Sequence, residues 1–218
     1  MLEAMHKISL SESAYNQIKD AICNGKIAPG DILSESQLAQ QLGMSRTPVR
    51  EALRTLETEG FVEIKNGIGA YVKPLSSKDM EDLYEVRCLL EMQAIKTSIY
   101  RITNEEIDEF ENRFQALFDA CERGEHPGQG EFSELDWNLH ILFVERCTNK
   151  YIKSIVASYD SNLRRYQSMS VDALNDVRES ARQHLEILKT LRIRDPEKAS
   201  EALKGHLEWS ANLLRITV

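Results

Sequence analysis

Four side chains in the second half of this 218-residue sequence have the types and spacing of a cation site: Asp136, His140, His184 and His206. Asp136 and His140 are separated by four residues. On a helix that puts them one turn apart on one face, about 40° from each other. His184 interrupts an apolar stripe formed by Val177, Ala181 and Leu188, and His206 interrupts another formed by Ala199, Leu203 and Leu213. One inward histidine is usually a satisfied core residue. Three of them, with a carboxylate one turn from the first, could converge on a single ion. Imidazole and carboxylate donors suit a divalent metal such as Zn²⁺, Ni²⁺, Mn²⁺ or Fe²⁺. Arg87 is a second kind of signal. It follows Val86, which the periodicity turns inward, and an arginine near a bundle interior is costly unless it meets an anion. That anion is either a ligand or Glu91, four residues on. Asn162 is a weaker polar candidate on a later helix, where Arg164 and Arg165 read as a solvated face.

A different chemistry is written into residues 33–60, LSESQLAQQLGMSRTPVREALRTLETEG. Ser45, Arg46, Thr47 and Arg50 sit at the start of a helix and are all hydrophilic. Two forked guanidinium groups there suit phosphate oxygens or the O6/N7 edge of guanine. The helix before them spans about 35–42, with Ser34 as cap and Leu38, Ala39 and Leu42 on one face. Gly43 follows its last apolar residue, where a C′ glycine is expected. Ser45 restarts the chain as an N-cap, and Pro48 lies in the first turn, where its missing N–H costs little. Val49, Ala52, Leu53 and Leu56 form the apolar face of the second helix, which Gly60 ends. Two short helices around such a turn make a helix-turn-helix, whose second helix can enter a DNA major groove.

The elements that must hold these residues follow from periodicity. A helix over 11–24, capped by Ser11, precedes the helix-turn-helix. Residues 61–65 alternate as a strand, Asn66-Gly67-Ile68-Gly69 is a turn, and Ala70-Tyr71-Val72 is the return strand. A hairpin after a recognition helix is a wing, and Gly67 and Gly69 would let its backbone approach a phosphate closely. Pro74-Leu75-Ser76-Ser77 is a short linker, dividing a domain of residues 1–75 from one of 76–218. Beyond it there is no strand pattern. Six helices are expected, at about 78–101, 104–122, 131–147, 150–167, 173–193 and 195–214. On the first of them Leu83, Val86, Leu90 and Ala94 form the expected inner face. The fold class is therefore mainly α: an N-terminal winged helix-turn-helix and a C-terminal antiparallel six-helix bundle.

Composition narrows the context. An apolar fraction of 42% and a charged fraction of 28% are ordinary for a soluble protein. No apolar run approaches membrane-spanning length, and the N-terminal MLEAMHKISLSES has no secretory pattern. The four cysteines are far apart, which fits free thiols in a reducing cytoplasm. Net charge is −8. Residues 1–75 hold 8 Lys/Arg against 9 Asp/Glu, and residues 76–218 hold 19 against 26. Positive charge for DNA must then be local, while the acidic remainder would limit non-specific binding.

The run L-x-E-x-x-L-A-x-x-L-G-x-S-R-T-P-V-R-E-A-L-x-x-L-x-x-E-G over Leu33–Gly60 resembles the signature of the GntR family of bacterial transcription regulators. The helical remainder, about 76–215, is similar to the FCD ligand-sensing domain of its FadR-type members, in the six-helix form. The resemblance implies a metal site at D-x-x-x-H (Asp136, His140) plus a histidine on each of the last two helices (His184, His206). It implies that Arg87, in Arg87-Cys88-Leu89-Leu90-Glu91, reaches the carboxylate of a small organic acid effector. It also implies a homodimer on pseudo-palindromic operator DNA with GT…AC half-sites, released when effector binds. Two other readings compete at this point: a metal-dependent enzyme built in a helical bundle, and a DNA-binding module with a purely structural dimerisation domain. Against the enzyme, no further carboxylate or nucleophile is placed as a general base beside the four ligands.

Overall fold

The computed structural model describes residues 9–23, 25–65, 69–74, 76–171 and 176–217, and the side chains of 129, 165–171 and 214–217 lie outside that description. The chain separates into two compact units, Met1–Leu75 and Ser76–Val218.

In the first unit, α1 (Leu10–Cys23), α2 (Glu35–Gln41) and α3 (Arg46–Thr58) pack with a three-stranded antiparallel sheet. Its strands are β1 (Ile32–Leu33), β2 (Val62–Lys65) and β3 (Gly69–Val72), in the order β1-β3-β2. The core is the apolar face that periodicity assigns: Ala14, Ile18 and Ile22 of α1 meet Leu38, Ala39, Val49, Ala52, Leu53 and Leu56. Ser34 caps α2 by accepting from the Gln37 N–H. Gly43 takes φ +64°, the left-handed turn that lets the chain reverse between α2 and α3. Two details differ from expectation. The first helix starts earlier and takes its cap from Ser9, whose Oγ accepts from the Glu12 N–H at 3.1 Å. The strand β1 is two residues long, too short for a periodicity signal, and exists because Ile32 and Leu33 pair with Tyr71 and Ala70.

The second unit is built from α4 (Ser77–Ser98), α5 (Asn104–Glu122), α6 (Gln129–Arg146), α7 (Lys150–Val171), α8 (Val177–Arg192) and α9 (Pro196–Thr217). Their starts are written locally. Ser76 accepts from the Asp79 N–H, and Thr103 with Glu106 forms a reciprocal capping box. Asn149 and Asp195 accept from the N–H groups of Tyr151 and Lys198. Helix α5 packs on α8, α4 on α9, and α8 on α9, with α6 against α4 and α7. Ile107, Phe110, Phe114, Leu135, Leu139, Phe143, Leu188 and Leu203 are among the buried core.

Helix α4 is rotated relative to the face expected from its apolar residues. Val86 is 41% exposed and Leu89 66% exposed, while Tyr84, Arg87, Glu91, Ala94 and Ile95 point inward. A bundle whose centre is polar inverts the usual correspondence between apolar side chains and the buried face.

Candidate metal and effector centre, and the DNA-facing helix

The last three histidines of the chain meet. His140 from α6, His184 from α8 and His206 from α9 are 0–3% exposed, and Asp136 of α6 joins them at 9%. Their donor atoms lie within 4.8 Å of one another. Each Nε2 is directed at the same carboxylate oxygen: Asp136 Oδ1 stands 3.1 Å from His184 Nε2, 3.8 Å from His206 Nε2 and 3.9 Å from His140 Nε2.

The opposite edge of each ring is held by an acceptor. His140 Nδ1 is 2.5 Å from Glu91 Oε2, His184 Nδ1 is 2.8 Å from the Ser180 carbonyl, and His206 Nδ1 is 3.0 Å from Gln183 Oε1. A carbonyl can only accept, so the His184 proton sits on Nδ1. The carboxylate and the amide oxygen favour the same tautomer for the other two. Three Nε2 lone pairs then face one carboxylate oxygen with no proton between them. Nε2 of His140 and of His184 are buried without a hydrogen-bond partner. Such a set of acceptors repels itself unless a cation lies at its centre, and a small contraction would close it around an ion bonded at about 2.0–2.2 Å. The donor set fits a divalent metal.

Electrostatics agrees with that charge state. Burial alone would raise the Asp136 carboxyl, but the three histidines packed around it, His184 foremost, hold it well below the carboxylate range. Burial lowers His184 despite Asp136 beside it. It lowers His206 well below its ordinary value, helped by His184 and His140. Neutral rings and an ionised carboxylate are the protonation states a metal requires.

Arg87 lies one link away. Its Nε donates to Glu91 Oε1 at 2.6 Å, and the other oxygen of Glu91 receives His140. Its guanidinium carbon sits 5.4 Å from the centre of the Tyr84 ring. One arm, Nη2, is buried with no partner. The sequence posed Arg87 as either an anion site or a partner of Glu91, and the geometry gives it the second role while leaving part of it free for the first. Asn162 is half-buried on α7, three residues after Tyr159 and on the same face. Arg164 lies over the indole of Trp137, 4.5 Å from its ring centre, and reaches Asp160.

In the first unit, Arg46, Thr47 and Arg50 are exposed on the first turns of α3. Ser45 has N-cap backbone geometry, but its hydroxyl makes no cap bond. Arg50 forms a fork with Glu35, Nε to Oε1 at 2.9 Å and Nη2 to Oε2 at 2.7 Å, and Arg46 reaches the same carboxylate at 3.3 Å. Ser34, Glu35, Arg46, Arg50, Ile64 and Gly69 line an open groove of about 410 Å³. Gly69 takes φ +112° at the base of the wing. Gly67 lies outside the described residues.

Family comparisons address both units. The model of the FCD domain matches residues 82–208, and that of the bacterial regulatory proteins of the gntR family matches 10–72. This chain belongs to the GntR family. Its second unit is an FCD domain. Among relatives of this GntR regulator, the Nta operon transcriptional regulator of Aminobacter aminovorans is 32% identical over 180 residues, covering 83% of this chain and 82% of its own. The HTH-type transcriptional repressor RspR of Escherichia coli (strain K12) is 27% identical over 206 residues, 94% of this chain and 89% of its own. The solved structure of E. coli McbR/YncC has the same fold, with a TM-score of 0.74 at 21% identity over 95% of this chain and 98% of that one. The protein is a DNA-binding transcriptional regulator and not an enzyme. No described helix is long and apolar enough to cross a membrane.

Sequence reading missed the groups that orient this GntR regulator's polar side chains. The sequence presents Glu91 only as a partner of Arg87, not as the acceptor for His140. Gln183, beside His184, serves His206 instead, and Glu35 holds Arg46 and Arg50. A carboxylate or amide beside a candidate ligand is a usable hint, but its partner is chosen by helix packing.

Proposed function

We propose that this regulator is switched by a small organic acid bound beside a divalent metal in its FCD domain. Asp136, His140, His184 and His206 hold the metal, and Arg87 takes the effector's carboxylate, with Asn162 nearby. The observation that carries the reading is the inward ring of three Nε2 lone pairs and one carboxylate oxygen, each imidazole fixed from behind at Nδ1. Four protein donors leave one or two positions on a five- or six-coordinate ion, and the metal would supply a cation to the effector's oxygens. Zn²⁺, Ni²⁺, Mn²⁺ and Fe²⁺ all accept such donors.

Ser45, Arg46, Thr47 and Arg50, with the wing glycines Gly67 and Gly69, bind the operator. A homodimer, working in the cytoplasm, places two recognition helices one DNA turn apart on a pseudo-palindrome. The exposed Val86 and Leu89 of α4 and the exposed Tyr151 and Ile155 of α7 support an apolar dimer contact on the FCD domain.

The test is elemental analysis of purified protein together with melting temperature in the presence of chelator. We expect about one divalent ion per chain and a lower melting temperature after chelation, since a native-state ligand at 100 times its Kd adds about 2.7 kcal/mol. His206→Ala should abolish the chelator effect. Wild-type protein that contains no metal, takes none up and still answers an organic acid would overturn the proposal.

A further inference from the structure

The three imidazoles are held from behind by three different kinds of group. Glu91 is an ionised carboxylate and the Ser180 carbonyl is main chain, and both can only accept. Gln183 is neither. Its amide carries an acceptor at one end and a donor at the other, and half a revolution exchanges them. With Oε1 toward His206 Nδ1, as it stands at 3.0 Å, the ring keeps its proton on Nδ1 and offers Nε2 as a lone pair. With the amide turned over, His206 Nδ1 would have to accept, and the proton would move to the ring's Nε2. That proton would face Asp136 Oδ1, 3.8 Å away, and close the position an ion would take.

What fixes the amide lies one turn back on α8. Gln183 Nε2 donates to Glu179 Oε1 at 2.8 Å. Arg182 grips the same carboxylate, Nε to Oε2 at 2.8 Å and Nη2 to Oε1 at 2.6 Å. Hydrogen bonds from Arg182 first and Gln183 next hold the Glu179 carboxyl down to about 2, so it stays ionised and has no proton to give. A group that can only accept selects the NH₂ end of the amide and leaves the oxygen for His206. Glu179 is 27% exposed and Arg182 48%, whereas the His206 side chain is 2% exposed. The run from Arg182 through Glu179 and Gln183 to His206 therefore leads from solvent into the cluster.

We propose that Glu179 and Gln183 are positioning residues for the cation site, which together hold His206 in the one tautomer that can bind a metal. The inference rests on the metal reading above and adds to it two residues that touch no ion yet set its affinity. An acceptor behind a ligating imidazole orients the ring and raises its basicity, and losing it typically costs about 10- to 100-fold in metal affinity.

The experiment substitutes Glu179 in the full-length chain and reads two quantities. The first is the position of the His206 proton in metal-free protein, from long-range ¹H–¹⁵N correlations of the imidazole. The second is the Kd for Zn²⁺, by competition with a chelating dye. Glu179→Gln keeps an acceptor for Gln183 and should match wild type in both. Glu179→Ala lets the amide sit either way and should weaken Zn²⁺ binding about twofold, since only half of the molecules are then competent. Glu179→Lys presents a donor, which draws Oε1 away from His206. The ring proton should move to Nε2, and Zn²⁺ should bind roughly 10- to 100-fold more weakly. Glu186→Lys makes the same charge change at an exposed position of α8 that pairs with Lys189, and should bind Zn²⁺ as wild type does. A Glu179→Lys protein that keeps the proton on Nδ1, or that loses no more affinity than Glu186→Lys, would overturn this inference alone. Wild type that takes up no Zn²⁺ would overturn the metal reading and this inference with it.

Discussion

The molecule contains the same ion pair twice, in opposite settings. In the winged-helix unit Glu35 holds Arg50 by two hydrogen bonds, with 26% and 49% of the two side chains exposed. In the FCD domain Glu91 holds Arg87 by one, and both are 3% exposed or less. The exposed pair is geometrically better and energetically weaker, because water screens it and its partners have alternatives. If Arg50 meets DNA as proposed, a phosphate or guanine would replace Glu35 where neither charge is left buried. The buried pair has no such exchange. Its charges are already desolvated, so each depends on the other and on the next group along the chain from Arg87 through Glu91 to His140. Local exposure, rather than residue type, separates a contact surface that trades partners from a site that keeps them.

The sharpest way to break this comparison is to remove the acid from each pair. Glu91→Ala leaves Arg87 charged and buried, and should destabilise the FCD domain by about 3–5 kcal/mol. Glu35→Ala should cost less than about 1 kcal/mol. Both tryptophans, Trp137 and Trp209, lie in the second unit, so urea unfolding followed by tryptophan fluorescence reads the first effect, and circular dichroism reads the second. Equal losses would refute the contrast.

Acid should also distinguish the regions. Folded His184 and His206 resist protonation, because burial lowers both. The unfolded chain takes up those protons near the ordinary imidazole value of about 6.5. Stability of chelator-treated protein should therefore be full above that pH and fall below it. Asp136, held low in the folded state, adds a further loss as pH drops below the unfolded carboxyl value of about 3.9. We expect the tryptophan-reported urea midpoint to follow this course and His206→Gln to flatten its upper part. A midpoint that does not move between pH 7.5 and about 5 would contradict the neutral-ring assignment.

On the DNA side, Arg50→Ala should weaken operator binding roughly 10- to 100-fold and relax base preference if the fork meets a guanine. Loss of a phosphate contact instead would weaken all sequences alike and flatten the salt dependence. Gel shifts on operator and scrambled DNA across a salt series separate the two, and unchanged affinity removes Arg50 from the interface.

The smallest expected effect concerns caps. Thr103→Ala breaks a reciprocal capping box and should cost about 1 kcal/mol in the FCD domain. Ser45 makes no cap bond, so Ser45→Ala should leave the melting of the winged-helix unit in place and reduce DNA affinity by a few-fold, as measured by gel shift. A clear drop in that unit's stability would assign the hydroxyl to the helix instead.

Legibility in the sequence followed the range of the interaction. The helix-turn-helix is specified within about 28 residues, by Ser34, Gly43, Ser45, Pro48 and the apolar spacing, and each of these acts on neighbours in the chain. The cluster that could hold a metal was visible for a related reason: Asp136 and His140 share one helical face, and His184 and His206 each break an apolar stripe. Helix α4 resisted the same reading. Its apolar residues pointed to Val86 and Leu90, whereas the bundle turns Arg87 and Glu91 inward because charged partners from other helices make that burial tolerable. By itself, then, the sequence determined where the helices lie to within a few residues, which residues open the second helix of the helix-turn-helix, and which four side chains could share an ion, since these depend on backbone periodicity and local hydrogen bonds. Only the tertiary structure decided that Gln183 serves His206, that Glu91 joins Arg87 to His140, and that Tyr159 and one arm of Arg87 stand without acceptors, because those pairings form where separate helices happen to pack.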